Sequence, residues 1–194
     1  MEKFNNLKSI PTYLSLQNID TDMIIPKQFL KTIKRTGLGK SLFYEMRYDE
    51  NGNKISDFIL NKEPYNKSKI LLAGKNFGCG SSREHAVWAL RDSGFAAVIS
   101  SRFGDIFRSN AGKQGLVTAV VNDAVVENIW EQIEENPGIK IIVDLAARDL
   151  RCGSLSSKFE IDDYTRWRLM EGLDDIAITL HKSDAIKSFE QSRA

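Results

Sequence analysis

The stretch KILLAGKNFGCGSSREHAVWALRDSGFAAVIS, residues 69–100, decides the fold. An apolar run, KILLAG, precedes a glycine-rich loop, and the loop precedes a segment whose apolar positions fit one face of a helix ended by Gly94. The run AAVIS at 96–100 is short, β-rich and almost wholly apolar. This order of strand, loop, helix and strand predicts two parallel strands joined by a crossover helix.

The alternation continues toward the C-terminus. The segment GDIFRSNAGKQG favours a helix, and it is followed by another apolar run, LVTAVV. Asn122 or Asp123 is expected to cap the next helix, which Pro137 ends before the strand IKIIVDL. RDLRCGSLSSKFEI indicates two strands around a glycine turn, and the tail from Asp163 is expected to be helical. The pattern predicts the α/β class, with a mixed, partly parallel sheet covered by helices.

Length and composition predict a single globular domain over residues 1–194, since 42% of the chain is apolar and 27% is charged. Residues 37–69 have poor periodicity and are expected to form an irregular, partly mobile excursion with a hairpin. The 27 basic and 26 acidic residues give no reason to expect nucleic acid or a membrane as partner. Without a bilayer-length apolar run or the apolar run of a secretory signal, the expected location is the cytoplasm.

Cysteine and histidine are scarce, which limits the metal sites and acid-base groups that the chain can form. Cys79 and Cys152 belong to no CxxC pair and cannot alone supply the thiolates of an iron-sulfur cluster. Only His85 and His181 are available as imidazoles for acid-base work. No metal bound by this chain is therefore expected.

The sequence matches three known motifs only in part. GLGKS ends like a P-loop, but Lys34 stands where the first glycine is required, and GKNFGCG does not fit G-x-G-x-x-G. A nucleophile elbow requires glycine two residues after the serine, where Ser81 is followed by Arg83 and Ser82 by Glu84. Serine hydrolysis remains only as an alternative.

The loop before the helix favours an anion site with a hydroxyl group. Its glycines allow close approach of main chain to a ligand, and Ser81 and Ser82 are expected at the cap and first turn of the helix, where N–H groups are free. Arg83 adds a fork that matches a carboxylate. The alternative is that Ser81 only caps the helix, with Glu84 completing a capping box. As a base, Ser81 needs more positive charge than a helix terminus provides, because that terminus contributes only about 1 kcal/mol.

Three blocks carry a resemblance to a known family. They are FGCGSSREHAVWALRDSGFAAVISSRFGDIFRSNAGKQGL, NIDTDMIIPKQFLK at 18–31, and the tail WRLMEGLDDIAITLHKSDAIKSFE. The first resembles the swivelling domain of the aconitase superfamily, and the other two resemble the small-subunit family of 3-isopropylmalate dehydratase. The match extends from about residue 5 to residue 190.

The resemblance implies a stand-alone swivelling domain of three layers, β/β/α, that docks on a large subunit carrying a [4Fe-4S] cluster. It implies interconversion of 2-isopropylmalate and 3-isopropylmalate by dehydration and rehydration, in leucine biosynthesis. By position, Ser81 corresponds to the base that removes the carbon-bound proton, and Ser82 and Arg83 to contacts with a substrate carboxylate. Asp22 corresponds to a group that lines or orients the site. The partner's iron is expected to polarise the substrate and so to supply the missing positive charge.

Several points stay open at this level. Citramalate or homoaconitate is an alternative substrate, and a non-catalytic anion-binding module is an alternative of another class. His85 is expected to support the start of the helix, Cys79 to be a small filler, and Arg102 is a candidate for a carboxylate contact. Side chains of the excursion are expected either to face the substrate's isopropyl group or to pack in the core: Leu38, Leu42 and Phe43.

Overall fold

The structure is a computed structural model that describes residues 1–193, and Ala194, the last residue of the predicted domain, lies outside them. Within residues 1–193, eight strands form two four-stranded sheets. The strands are β1 (Asn6–Ser9), β2 (Pro11–Leu14), β3 (Ile70–Ala73), β4 (Ala97–Ser100), β5 (Val117–Val120), β6 (Ile141–Asp144), β7 (Asp149–Cys152) and β8 (Leu155–Lys158). One sheet is parallel with the order β2-β3-β4-β5, and the other is antiparallel with the order β1-β6-β7-β8.

The helices after β3 follow the predicted order, and two short helices precede it. They are α1 (Thr21–Ile24), α2 (Tyr44–Arg47), α3 (Glu84–Asp92), α4 (Asp105–Lys113), α5 (Asp123–Glu135), α6 (Asp163–Glu171), α7 (Asp175–Leu180) and α8 (Ser183–Gln191). The side chain of Asn122 caps α5 by accepting a hydrogen bond from the Val125 N–H at 2.8 Å, as the sequence predicts. None of the helices in the described chain is long and apolar enough to cross a membrane.

The parallel sheet separates two cores. Leu71 and Val98 belong to the core shared with α3 and α4, whereas Ile70 and Ile99 belong to the core shared with the antiparallel sheet and α5. Their burial on both faces explains why β3 and β4 read as continuous apolar runs. The result is a layered β/β/α arrangement.

The α/β class and the parallel pairing of β3, β4 and β5 are confirmed. The parallel and antiparallel strands lie in separate sheets, because β6 pairs with the N-terminal strand β1 and not with β5. Strand patterning in the sequence does not specify this long-range partner.

The excursion at 37–69 contains α2 and three short 3-10 turns. The predicted hairpin is reduced to one antiparallel bridge between Tyr48 and Lys54. The side chains of Leu38, Leu42 and Phe43 are buried in the core of the α3 layer. Of the two expectations for these side chains, core packing is therefore correct in this structure, since all three are almost completely buried.

The four parallel strands end at the same edge of their sheet. The segments that follow β2, β3 and β4 lead into residues 15–20, 74–83 and 101–104, and these three loops meet there. In open α/β sheets, ligands bind outside the carboxyl ends of the strands. The predicted site lies at this edge.

Candidate active site

The loop after β3 is held on one side by the loop after β2. The Gly78 N–H donates to the Ile19 carbonyl at 2.7 Å, and the Thr21 N–H donates to the Cys79 carbonyl at 3.0 Å. The Thr21 hydroxyl, which is buried, donates to the Ser81 carbonyl at 3.0 Å. The backbone of Ser81 is therefore fixed by a threonine whose role the sequence analysis missed.

On the other side the loop is held by the segment after β4. The Phe77 N–H donates to the Arg102 carbonyl at 3.0 Å, and the Gly104 N–H donates to the Phe77 carbonyl at 2.9 Å. A Cβ at Gly104 would lie 2.5 Å from the Gly78 carbonyl oxygen, so the two main chains approach as closely as glycine allows. The Arg102 carbonyl accepts the hydrogen bond from Phe77, and the Arg102 side chain is exposed. Its predicted carboxylate contact remains a prediction.

Ser81 and Ser82 are both exposed at the sheet edge. They do not occupy the cap and first turn of α3, because the N-cap is Arg83, with φ −138° and ψ 104° and no side-chain capping bond. The expected placement of the two serines in the helix, and the alternative capping box with Glu84, are therefore wrong. Gly80 has a left-handed backbone, with φ 87°, and Ser81 follows it in a bend, so both serines precede the helix.

Arg83 and Asp22 form an ion pair at this edge, in which Nη1 of the guanidinium donates to Oδ1 of the carboxylate. The Arg83 side chain is 17% exposed and that of Asp22 is 53% exposed. Asp22 lies in α1, which Asp20 caps by accepting from the Met23 N–H at 2.8 Å. Because the pair occupies one of five guanidinium N–H groups, Asp22 orients Arg83 and leaves other donors for a ligand.

The hydrogen bond from Arg83 lowers the pKa of the Asp22 carboxyl, against a smaller opposing effect of burial, and the nearby charges of Arg83 and Lys27 lower the pKa further. A carboxyl with a depressed pKa stabilises the fold above its unfolded-state pKa of about 4, and that stability is lost as the pH falls through the folded-state pKa. We therefore expect Asp22→Asn to reduce the free energy of unfolding at about pH 7 by less than about 1 kcal/mol, since the pair is partly exposed.

The difference in the free energy of unfolding between wild type and Asp22→Asn is expected to vanish as the pH falls below about 4 and through the folded-state pKa of Asp22. Urea unfolding across this range measures it, with Arg83→Gln and the double variant completing a double-mutant cycle. A coupling energy of zero at about pH 7 would contradict the ion pair.

His85, Cys79 and Cys152 each contact other parts of the fold. Nε2 of His85 lies 2.8 Å from the Thr32 carbonyl oxygen, which ties residues 32–37 to the first turn of α3. The Cys79 sulfur lies 3.5 Å from the Asn18 carbonyl oxygen, and burial raises the pKa of its thiol. Cys152 is buried between the sheets, where burial raises its pKa to about 11. These contacts agree with the expected supporting role of His85 and with Cys79 as a small packing residue.

Comparison with known proteins decides the family. The family model described as the aconitase C-terminal domain matches residues 1–124. The 3-isopropylmalate dehydratase small subunit of Pelagibacter ubique is 56% identical over 192 residues, covering 99% of this chain and 94% of that one. The chain belongs to the 3-isopropylmalate dehydratase small-subunit family. The corresponding small subunit of Nocardia farcinica is 53% identical over 193 residues, which cover 100% of this chain and 93% of that protein.

A solved structure supports the same assignment for the fold. The crystal structure of 3-isopropylmalate dehydratase from Methanocaldococcus jannaschii matches with a TM-score of 0.68 at 26% identity, covering 95% of this chain and 99% of that chain. The predicted resemblance to the 3-isopropylmalate dehydratase small-subunit family and the fold class are thereby confirmed. The enzyme class is a lyase of leucine biosynthesis, in which this chain is the small subunit.

The residues of this small subunit do not fit a resident iron-sulfur cluster. Cys79 lies in the loop at the sheet edge, and Cys152 is buried between the sheets. Across residues 1–193, no three His, Cys, Asp or Glu side chains are grouped so that they could hold a metal ion.

Proposed function

We propose that this chain supplies the proton-abstracting base and part of the carboxylate site for the interconversion of 2-isopropylmalate and 3-isopropylmalate. One observation supports the proposal: exposed Ser81 and Ser82 directly precede Arg83, whose guanidinium is bound by Asp22, at the carboxyl edge of the parallel sheet. The names of the relatives supply the substrate and the existence of a larger partner subunit.

Ser81 is the proposed base. Its deprotonated Oγ takes the proton from the carbon next to the one that bears the hydroxyl group, the electron pair of that C–H bond forms the C=C double bond, and the hydroxyl leaves as hydroxide to give the dehydrated acid. Rehydration with the hydroxyl group and the proton on exchanged carbons gives the other isomer, and the proton held on Ser81 returns to carbon. The Thr21 hydroxyl fixes the Ser81 carbonyl, so that the position of Oγ depends on few torsions. The positive charge of Arg83 and the free N–H groups at the start of α3 favour a negatively charged oxygen at this place.

Ser82 and Arg83 are the proposed carboxylate ligands. A guanidinium donates two parallel hydrogen bonds to a carboxylate, and Asp22 binds Nη1 of Arg83, which leaves the Nε and Nη2 donors for the substrate. Asp22 is therefore proposed as a positioning residue of the site.

We further propose that a [4Fe-4S] cluster resides on the large subunit and that the complex is cytoplasmic. When bound there, the cluster supplies a Lewis acid that polarises the substrate's hydroxyl and carboxylate groups. The contribution of this small subunit is to bind and orient the substrate, to exclude water and to hold the proton on Ser81. Base and Lewis acid then lie on different chains, so the small subunit by itself is expected to be inactive.

Arg83→Lys tests the carboxylate site in the enzyme reconstituted with its large subunit. We expect kcat/KM for 3-isopropylmalate to fall about 10- to 100-fold, mainly through a higher KM, because lysine keeps the charge but loses the fork geometry. Steady-state kinetics with Arg148→Lys as the matched control measures this, since Arg148 pairs with Asp163 beside the other sheet. An unchanged KM in Arg83→Lys would rule out the proposed contact.

The choice of substrate is tested with the same complex. Citramalate and homoaconitate differ from isopropylmalate in the side chain, and the buried Leu38, Leu42 and Phe43 do not discriminate among them in this structure. We expect the highest kcat/KM with isopropylmalate. A higher value with either other acid would reassign the substrate, and binding of malate-type acids by the small subunit with no turnover in the complex would favour a non-catalytic anion-binding module.

A further inference from the structure

A cavity of about 470 Å³ lies between the 37–69 excursion and the C-terminal end of α3. This volume is in the range of small-molecule binding sites. None of its lining residues belongs to the loop with Ser81 and Arg83. We name it the excursion cavity, and its polar lining includes Lys40, Arg47, Tyr48, Lys54, Asn66 and Asp92.

The charge in the excursion cavity is predominantly positive. Lys40, Arg47 and Lys54 line it, against the single carboxylate of Asp92. Among residues 1–193, none of these three cations lies within 4.0 Å of a carboxylate oxygen. Three cations beside one cavity, none of them in an ion pair within the described chain, repel one another, and an anion in the cavity reduces that repulsion.

The Asp92 carboxylate is already engaged by main chain. Its Oδ2 accepts from the Gly37 N–H at 2.9 Å and from the Gly39 N–H at 2.7 Å. The carboxylate therefore fixes the start of the excursion and is not within ion-pair distance of the cations in the cavity. A positive excess remains for a ligand.

Arg47 is held in position although it has no acidic partner. Its Nε donates to Oδ1 of Asn61 at 3.2 Å, its Nη1 lies 3.5 Å from the Gly39 carbonyl oxygen, and its guanidinium carbon lies 5.7 Å from the ring centre of Tyr48. A half-buried guanidinium that is fixed by neutral groups keeps its charge and its remaining N–H donors available. Such a fork matches carboxylate and phosphate oxygens.

We propose that the excursion cavity binds a small oxyanion with two or more negative charges, either a dicarboxylate or a phosphate. Arg47 provides the oriented fork, and Lys40 and Lys54 provide point charges at the rim. The neutral donors of Tyr48 and Asn66 line the same cavity. This site is separate from the proposed active site and does not depend on its chemistry.

The test is a titration of the isotope-labelled full chain, followed by amide NMR at constant ionic strength, with inorganic phosphate and with malonate as probes. We expect saturable shifts of the Gly37, Gly39 and Asn66 amides. The double variant Lys40→Gln/Lys54→Gln is expected to bind at least about tenfold more weakly, because each lysine contributes a charged hydrogen bond. Both lysines are exposed, so the variant is expected to fold.

The matched control is Lys140→Gln/Lys187→Gln, which removes the same charge from exposed positions outside the cavity. We expect it to bind like wild type, and saturation by one probe only would define the ligand as a phosphate or as a dicarboxylate. The proposal is overturned by the absence of saturable shifts with both probes, by shifts confined to residues 81–84, or by an equal loss of binding in the control.

Discussion

Ser81→Ala is expected to lower the turnover of the reconstituted enzyme by a factor of about 10² to 10⁴, which is the usual contribution of a positioned acid-base group. KM is expected to change little, since Ser82 and Arg83 remain to hold the carboxylate. The fold is expected to persist, because the Ser81 side chain is exposed and Thr21 fixes its backbone carbonyl and not its hydroxyl. Single-turnover kinetics of the assembled complex measures the effect on the chemical step.

Ser188→Ala is the control for Ser81→Ala, because Ser188 is an exposed serine in α8, far along the chain from the loop. It is expected to leave turnover unchanged. Equal co-purification of the large subunit with both variants separates loss of catalysis from loss of assembly. Wild-type turnover in the Ser81→Ala complex would exclude Ser81 as the base.

Gly78→Ala is expected to reduce the free energy of unfolding by about 2–5 kcal/mol. Gly78 has φ 72°, and a Cβ there would lie 2.3 Å from Cγ of Phe107. Phe107 is buried and packs edge-on against Phe77 with 5.3 Å between ring centres, so its ring has no free space to move into. Urea denaturation of the full chain measures the loss.

Gly52→Ala is the matched control for the Phe107 clash. Gly52 has a similar φ of 80°, but a Cβ there would meet nothing within 4 Å. It is expected to lose only about 1–2 kcal/mol, which is the backbone cost of the left-handed region. Equal losses in both variants would show that the contact with Phe107 contributes nothing.

The local fold around the site is predictable from the sequence because its determinants are local. The strand, loop, helix and strand of residues 69–100 follow from apolar runs and glycines, and the structure places β3, α3 and β4 there. The Asn122 cap and the glycine turn between β7 and β8 follow from similarly short patterns.

The features of the fold and the site that the sequence does not predict depend on contacts between distant positions. The pairing of β1 with β6 joins residues more than 130 positions apart, and no local period encodes it. The helix starts at Glu84 and not at the serines, because the left-handed Gly80 precedes them and the Ser81 carbonyl is bonded to the Thr21 hydroxyl and not to a helical N–H. Asp22 and Arg83 are 61 positions apart in the sequence, and only the folded chain shows that they form an ion pair.

The segment 32–39 is fastened to both ends of one helix. The Thr32 carbonyl meets His85 in the first turn of α3, Arg35 lies 5.6 Å from the ring centre of Trp88, and Asp92 holds the glycines beyond. Ile33, in this segment, is 94% exposed next to the start of the helix. A displacement of α3 along its axis would therefore shift the exposed Ile33 side chain with it, because the segment is bound at the first turn, the middle and the last turn of that helix.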